Sequence, residues 1–379
     1  MTVYYVWVFP RILVEDMEIS KGKMLALFAL MYSFWSGLFL YFLTDAVALM
    51  FLSIGIYFLF LDKKIGYLLG GVFMYITYNT RTIYLFPIIV IILFLFIYKL
   101  RAKDKSVFLA TVFIFAGIIL AAIPQVIVNK NNHGVISAKV YTAGNSGDYG
   151  NGLFSWQLAQ GLKLAEYETY VGVRDKHSSG GVAFTDTTGE RIWREEGIDS
   201  QTVIIKDIVK LFFKYPLDMV GIYVRHFINM LNPVWGEMYI KNLEKVKIHL
   251  TIINYIILYI IVYWNIGVKE KSIKNIKELL TDSNKEKLKI YITRCTLLIP
   301  CIAILLGSVE LRFFYPMYML IYVYLIYNIG LSGIKKVWMS CKKNYVVSLS
   351  CFVIGFCVLC AVVGSTYSNL DGTLWIGLM

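Results

Sequence analysis

Charge is scarce in this chain: 16% of its 379 residues are Asp, Glu, Lys or Arg, against 58% hydrophobic residues. A water-soluble fold of that composition would expose far too much apolar surface, which excludes an ordinary soluble domain. Cysteine is scarce as well. All six (Cys295, Cys301, Cys341, Cys351, Cys357, Cys360) lie beyond residue 290, and none falls in the long polar segment 129–245. That segment therefore carries no disulfide framework. Cys357 and Cys360, with two residues between them, lie in too apolar a run for a redox pair or a zinc site. There is no Walker-type phosphate loop, no His-Glu-x-x-His and no Gly-x-Ser-x-Gly turn, so ATP-driven transport, zinc proteolysis and serine hydrolysis lose their support. No basic n-region precedes the apolar residues 2–9 and no small-residue cleavage site follows, so this start does not read as a signal peptide. No clear internal repeat is visible, which weighs against transporter folds built from inverted halves.

What the chain does have is a series of apolar runs, each of about the 20 residues that a helix needs to cross a bilayer core. Runs at 24–41, 46–61, 65–78, 82–98, 106–128, 248–268, 290–307, 313–329 and 345–366 predict helices, with a shorter stub at 2–14 broken by Pro10 and Arg11. The expected fold class is all-α: a polytopic helical membrane protein of nine or ten spans with one large extracytoplasmic loop or subdomain. Residues 1–128 read as an N-terminal transmembrane bundle, 129–245 as the loop region with interfacial helices, and 246–379 as a C-terminal bundle.

Orientation follows from the basic residues at the helix ends. One set of loops carries Lys21, Lys23, Lys63, Lys64, Lys99, Arg101, Lys103, Lys105, Lys335, Lys336, Lys342 and Lys343, besides the lysines of 269–289. The opposite short connections carry Arg81 and Arg312 alone. The positive-inside rule places the first set in the cytoplasm and segment 129–245 outside, in a multi-pass protein of the cell membrane. Because the basic residues track helix ends, nucleic acid is not an expected partner.

Within the outer segment, 155–170 reads as a short helix and Ser178-Ser179-Gly180-Gly181 as a flexible loop. Asp199 and Ser200 are expected to N-cap a helix running to Phe213. Val203, Ile204, Ile208, Leu211 and Phe212 form its apolar stripe, expected to lie on the membrane surface. Pro216 is placed to open a second helix, on which Arg225 and His226 face solvent or line a cleft. Asp148, Asp175 and Asp186 read as solvated loop acids, with no neighbouring metal-ligand pattern.

The residues that suggest chemistry are the charges at the outer breaks. An ionised side chain at membrane depth costs roughly 2.5–3.5 kcal/mol on insertion scales, so charges retained there point to a site. Arg81 and Arg312 have the forked donors that grip a phosphate, and the water–lipid boundary is where a lipid phosphate lies. Asp45, in Leu43-Thr44-Asp45, serves as an N-cap or as a general base, and Glu310 as a partner of Arg312 or Arg81. Asp45, Arg81, Glu310 and Arg312 are expected to line one site, with Tyr78, Asn79, Arg225, His226 and Tyr315 as candidate lining of its cleft. No metal ligands and no cofactor are indicated, and a divalent cation has no signal in the sequence.

In the order and sidedness of these motifs the chain resembles the GT-C superfamily of membrane glycosyltransferases, of the protein O-mannosyltransferase and lipid A aminoarabinose transferase type. The matching pieces are Leu43-Thr44-Asp45, Gly70-Gly71 followed by Asn79-Thr80-Arg81, Ile123-Pro124 with Asn129 and Gly134, Tyr215-Pro216, and Glu310-Leu311-Arg312-Phe313 with Pro316. The resemblance covers most of 20–330. It implies transfer of a hexosyl or pentosyl group from a polyprenyl-phosphate carrier to a glycan, lipid or protein acceptor of the cell envelope. Arg81 and Arg312 would meet the carrier phosphate, while Asp45 and Glu310 would shape the sugar site. That family keeps its base on a first outer loop, and no such loop precedes Met24, so the chain reads as one lacking the first span and its base. Two further readings stand beside it: an envelope polysaccharide polymerase or ligase, and a lipid-linked oligosaccharide flippase or transporter.

Overall fold

The computed structural model describes residues 1–14, 20–40, 44–101, 103–138, 157–171, 179–199, 202–232, 248–268, 285–307 and 309–369. It is predominantly helical, and each expected apolar run is helix over most of its length. Among the described residues, five helical stretches are able by length and composition to cross a membrane: Thr82–Arg101, Ser106–His133, Ile248–Ile266, Leu311–Lys343 and Tyr345–Ser368, with Thr44–Leu59 apolar but shorter. The chain falls into two compact units. One comprises Met1–Phe28, Tyr41–Asn145 and Lys271–Pro300; the other comprises Ala29–Leu40, Ser146–Glu270 and Cys301–Met379.

In the first unit, α1 (Phe9–Leu13) follows a π-turn (Tyr4–Val8), and α2 (Lys21–Leu40) begins before passing into the second unit. Then come α3 (Thr44–Leu59), α4 (Lys64–Thr80), α5 (Leu85–Arg101) and α6 (Ser106–His133). Helix α4 packs between α3 and α6, and its glycines explain why. A methyl group on Gly71 would overlap the Ile114 carbonyl oxygen of α6, and one on Gly117 would overlap the Leu68 carbonyl oxygen of α4. Two backbones meet there without side chains, the contact that small residues allow between membrane helices. At one end of this unit the Lys99 ammonium donates to Asp62 at 2.7 Å, Asp104 at 2.7 Å and Ser106 at 3.0 Å. It thereby ties the α3–α4 turn to the α5–α6 turn.

The second unit carries the polar subdomain. A helix over 157–163, α7, leads into the antiparallel hairpin β1 (Leu164–Val171) and β2 (Ser179–Thr185), in which Tyr167 faces Ala183 and Glu168 faces Val182. The helix expected over 155–170 is thus half strand, and Ser179-Gly180-Gly181, expected in a loop, opens β2. Next come α8 (Thr187–Glu196), α9 (Ile205–Lys214) and α10 (Pro216–Met230). Pro216 opens α10 as expected, being tolerated where a helix's first N–H groups have no partner anyway. Helix α9 starts at Ile205, and the Asp207 carboxylate caps the Ile204 N–H at 3.3 Å. Asp199 is spent upstream, accepting from the Thr202 hydroxyl at 3.1 Å, so it does not cap α9.

The apolar stripe of α9 is also reassigned. Val203, Ile208 and Leu211 are buried with Leu158, Leu162, Ile192, Met219 and Ile222 in the core of the subdomain, and Phe212 packs against them. The apolar residues left exposed are Ile204, Ile205, Val209 and Phe213, followed on α10 by Leu217, Val220, Val224 and Phe227. A second layer of the subdomain competes for the stripe, and the membrane-surface expectation fails for those residues.

Beyond the subdomain lie α11 (Ile248–Tyr263) with its π-turn (Trp264–Val268), and α12 (Lys285–Ile304), whose last residues enter this unit. A 3-10 turn (Leu311–Phe314) leads into α13 (Tyr315–Val323) and a π-turn (Tyr324–Ile329). Helices α14 (Gly330–Lys343) and α15 (Tyr345–Ser368) complete the unit, so Lys335 and Lys336, expected in a loop, are helical. The far end of α15 meets the subdomain: Thr366 is bonded to Asn229 of α10 at 3.0 Å, and the Tyr367 ring lies edge-on to Phe184 of β2 at 4.8 Å. The polar subdomain therefore sits at the end of α15 away from Lys342 and Lys343. Only 11% of the most apolar stretch of α15 is buried within the protein, as expected of a helix that turns its sides to lipid.

Candidate functional site

Glu310 and Arg312 stand where extended chain becomes helix. Glu310 is extended (φ −123°, ψ 128°), Leu311–Phe314 makes one 3-10 turn, and Pro316 starts α13. The segment is fixed from outside by β1. The Tyr167 N–H donates to the Val309 carbonyl at 2.8 Å, and the Leu311 N–H donates to Glu168 Oε1 at 2.9 Å. Arg312 Nε lies 2.8 Å from Glu310 Oε1, with the Arg312 side chain 21% exposed and that of Glu310 3% exposed. The guanidinium also lies 5.1 Å from the Phe313 ring centre. It is thus backed by a buried acid and an aromatic face while part of it stays open, a geometry able to receive an anion.

Two further acids stand behind this pair. Glu166 and Glu168 are both buried, and Tyr367 donates to Glu166 at 3.2 Å. Burial, then the Glu166 and Glu310 carboxylates, push the Glu168 carboxyl well above the usual carboxylate range, against the Leu311 N–H and Arg312. These two residues were not among the expected site residues. On the helix expected there, positions two apart point about 200° apart; on a strand they share a face. The signal that separates the two cases is the Tyr167, Thr169, Val171 alternation of strand-forming residues, interleaved with Glu166, Glu168 and Tyr170.

In the other unit, Arg81 and Asp45 form a second pair. Asp45 lies in the first turn of α3 and Arg81 ends α4 in an extended conformation. Arg81 Nε donates to Asp45 Oδ1 at 2.8 Å, and its Nη2 reaches the same oxygen. Asp45 Oδ2 is buried and has no partner among the described residues. Asp45 thus presents a free acceptor beside a cation whose side chain is 25% exposed. Tyr78 and Asn79 occupy the last turn of α4, Asn79 exposed and Tyr78 with its ring 6.0 Å from that of Tyr75.

The remaining expected residues serve packing, Arg225 and His226 within the subdomain and Tyr315 against α2. Arg225 forks onto Asp186 at 2.5 and 2.8 Å, and Asp186, buried, also caps α8 by accepting from the Gly189 N–H at 2.9 Å. Asp186 is therefore not a solvated loop acid; Asp148 and Asp175 lie outside the described residues. His226 is fully enclosed, its ring nitrogens 3.0 Å from the Leu305 carbonyl and 2.9 Å from the Leu164 carbonyl. Burial lowers its proton affinity while those carbonyls oppose the shift. It is a cross-tie between α10, β1 and the end of α12, and it does not face solvent. Tyr315 is also fully buried, with Trp35 of α2 edge-on at 5.5 Å, and the Trp35 indole donates to the Tyr322 hydroxyl at 3.2 Å.

Among the described residues no group of three or more His, Cys, Asp or Glu side chains is arranged to hold a metal ion, and all six cysteines are free thiols. No family model, no curated protein and no solved structure matches the chain.

Proposed function

We propose that this protein is a membrane glycosyltransferase that takes a sugar from a polyprenyl-phosphate carrier and gives it to an envelope glycan, lipid or protein acceptor on the outer face. The observation that carries this reading is a repeated device. A partly exposed arginine is braced by a buried carboxylate at the end of an apolar helix, once as Arg312 on Glu310 and once as Arg81 on Asp45. Neither arginine is needed for orientation, because the basic residues that orient the chain lie on the opposite set of loops. A leaving phosphate gains negative charge as the glycosidic bond breaks, and a fixed guanidinium stabilises that charge. The buried, unpartnered Asp45 Oδ2 supplies an acceptor for a hydroxyl. The finer topology belongs to the same proposal: nine or ten spans, with the subdomain of β1, β2 and α7 to α10 extracytoplasmic. Its position at the end of α15 remote from Lys342 and Lys343 supports that sidedness.

The test is transfer of label from a radiolabelled polyprenyl-phosphate sugar by the full chain in lipid nanodiscs. Arg312→Ala and Arg81→Ala are each expected to lower turnover by about 10²–10³-fold, the usual cost of removing one charge-stabilising donor. Turnover unchanged in both variants, or label that crosses the bilayer without forming a new bond, overturns the proposal.

A further inference from the structure

Helices α9 and α10 each turn one apolar face into the core of the subdomain, and each carries a second apolar face turned away from it. On α9 the core takes Ile208 and Leu211, while Ile205, Val209 and Phe213 follow one another at every fourth residue and are exposed. On α10 the core takes Met219 and Ile222, while Leu217, Val220, Val224 and Phe227 are exposed. The two largest exposures, Phe213 at 85% and Leu217 at 87%, flank Pro216 where the helices join. At about 100° per residue, each exposed set falls within an arc of about 80° on its helix. Single exposed apolar side chains are ordinary on any protein surface. Seven in register along two consecutive helices form a contiguous patch, the mark of a partner or a membrane.

Charge and position name the partner. Lys206, Lys210 and Lys214 run along α9 at the same four-residue interval, about 100° round the helix from the exposed apolar row. Asp207 is the only acid on that helix. Lys210 meets it at 2.9 Å and Lys214 meets Glu196 at 2.6 Å, yet all three lysines stay at the surface. Lysine is depleted in protein–protein interfaces. Beside an apolar helix face it suits lipid, because its stem lies along hydrocarbon while its ammonium reaches a headgroup phosphate. As for position, Asn229, two residues beyond Phe227, bonds Thr366 at 3.0 Å near the end of α15, a helix able to cross a membrane. The row of α10 therefore begins beside the end of a spanning helix, where hydrocarbon gives way to headgroups. We infer that the exposed face of α9 and α10 lies in the headgroup boundary of the bilayer, with Lys206, Lys210 and Lys214 on anionic lipid phosphates. The face that meets lipid is thus the one turned away from Ile208 and Leu211. The inference needs the subdomain to stand at a membrane and does not depend on the transferase reading.

The experiment uses the full chain, freed of its native cysteines, in phosphatidylcholine nanodiscs. A nitroxide is attached at Val209→Cys, Phe213→Cys or Val220→Cys, and at Arg194→Cys on α8, whose side chain is 76% exposed, as the reference. Spin relaxation then reads collisions with oxygen, which concentrates in hydrocarbon, and with a neutral nickel chelate, which stays in water. Oxygen is expected to dominate at 209, 213 and 220, and the chelate at 194. Dominance of the chelate at the three sites means that the face meets water and overturns the inference. Exclusion of both reagents means that protein covers it, a second copy or another part of the chain, and overturns it equally. For the lysines, part of the phosphatidylcholine is replaced by phosphatidylglycerol. Chelate collisions at Phe213→Cys are expected to fall, each lysine raising the ratio of docked to undocked face by up to about fivefold. The triple variant Lys206→Gln, Lys210→Gln, Lys214→Gln is expected to lose that response. A response missing from the parent chain, or kept in full by the triple variant, overturns the assignment of the lysines to lipid phosphate.

Discussion

Arg312 and Arg81 differ from a surface lysine in what stands behind them. Each is braced by a carboxylate that is almost fully buried, Glu310 or Asp45. Removing the acid leaves the arginine partly open to water, at 21% and 25% exposure, so the cost is smaller than for a fully buried pair. Glu310→Gln and Asp45→Asn are each expected to lower stability by about 1–3 kcal/mol, read as a shift in thermal unfolding in detergent. His226→Ala removes the ring that lies against the Leu164 and Leu305 carbonyls and opens a cavity between α10, β1 and α12. A loss of about 2–4 kcal/mol is expected, with His226→Asn recovering part of it. If His226→Ala unfolds at the wild-type temperature, the cross-tie assigned to this ring is wrong.

At the scale of elements, α4 and α6 of the first unit meet glycine against backbone. Gly71 faces the Ile114 carbonyl and Gly117 the Leu68 carbonyl, so α4 and α6 have no room for a methyl group at either point. Gly71→Leu or Gly117→Leu must push the two helices apart, at about 1–3 kcal/mol or more for overpacking. The expected readout is a lower unfolding temperature and loss of the monodisperse peak in size-exclusion chromatography; unchanged behaviour of both variants refutes the contact. Gly70-Gly71 is visible in the sequence, but nothing there says which helix it meets. Helix α9 shows the converse. Its apolar residues cover about half of its circumference, a wider arc than one core needs, so a stripe read from the sequence does not say which half is buried. Packing against Met219 and Ile222 selects Ile208 and Leu211, leaving Ile205, Val209 and Phe213 outside.

For the whole molecule, the proposed sidedness makes a direct prediction. In a cysteine-free background, a membrane-impermeant maleimide added to intact cells is expected to label Thr187→Cys, on the subdomain, and to spare Lys336→Cys, on α14, until the membrane is opened. Both positions are surface-accessible, so exposure alone does not separate them. The reverse pattern overturns the orientation, and with it the proposal that Arg312 meets an outer-leaflet lipid.

Composition and the spacing of apolar runs were enough to decide that this chain is built mainly of apolar helices, because a long unbroken apolar run satisfies its backbone only within itself. The helix at Pro216 and the four charges at the helix breaks were legible for similarly local reasons. The pairing of those charges was not: Glu310 had Arg312 and Arg81 as open partners on paper, and only the fold puts it beside Arg312 and puts the Arg81 guanidinium on Asp45. Nor were the buried acids of β1, since a segment of eight residues satisfies helix and strand patterns alike until a second strand, Ser179–Thr185, supplies its hydrogen bonds. Whether Asp186 and His226 meet water or protein was likewise settled by contacts far along the chain, and those are energies that no local pattern encodes.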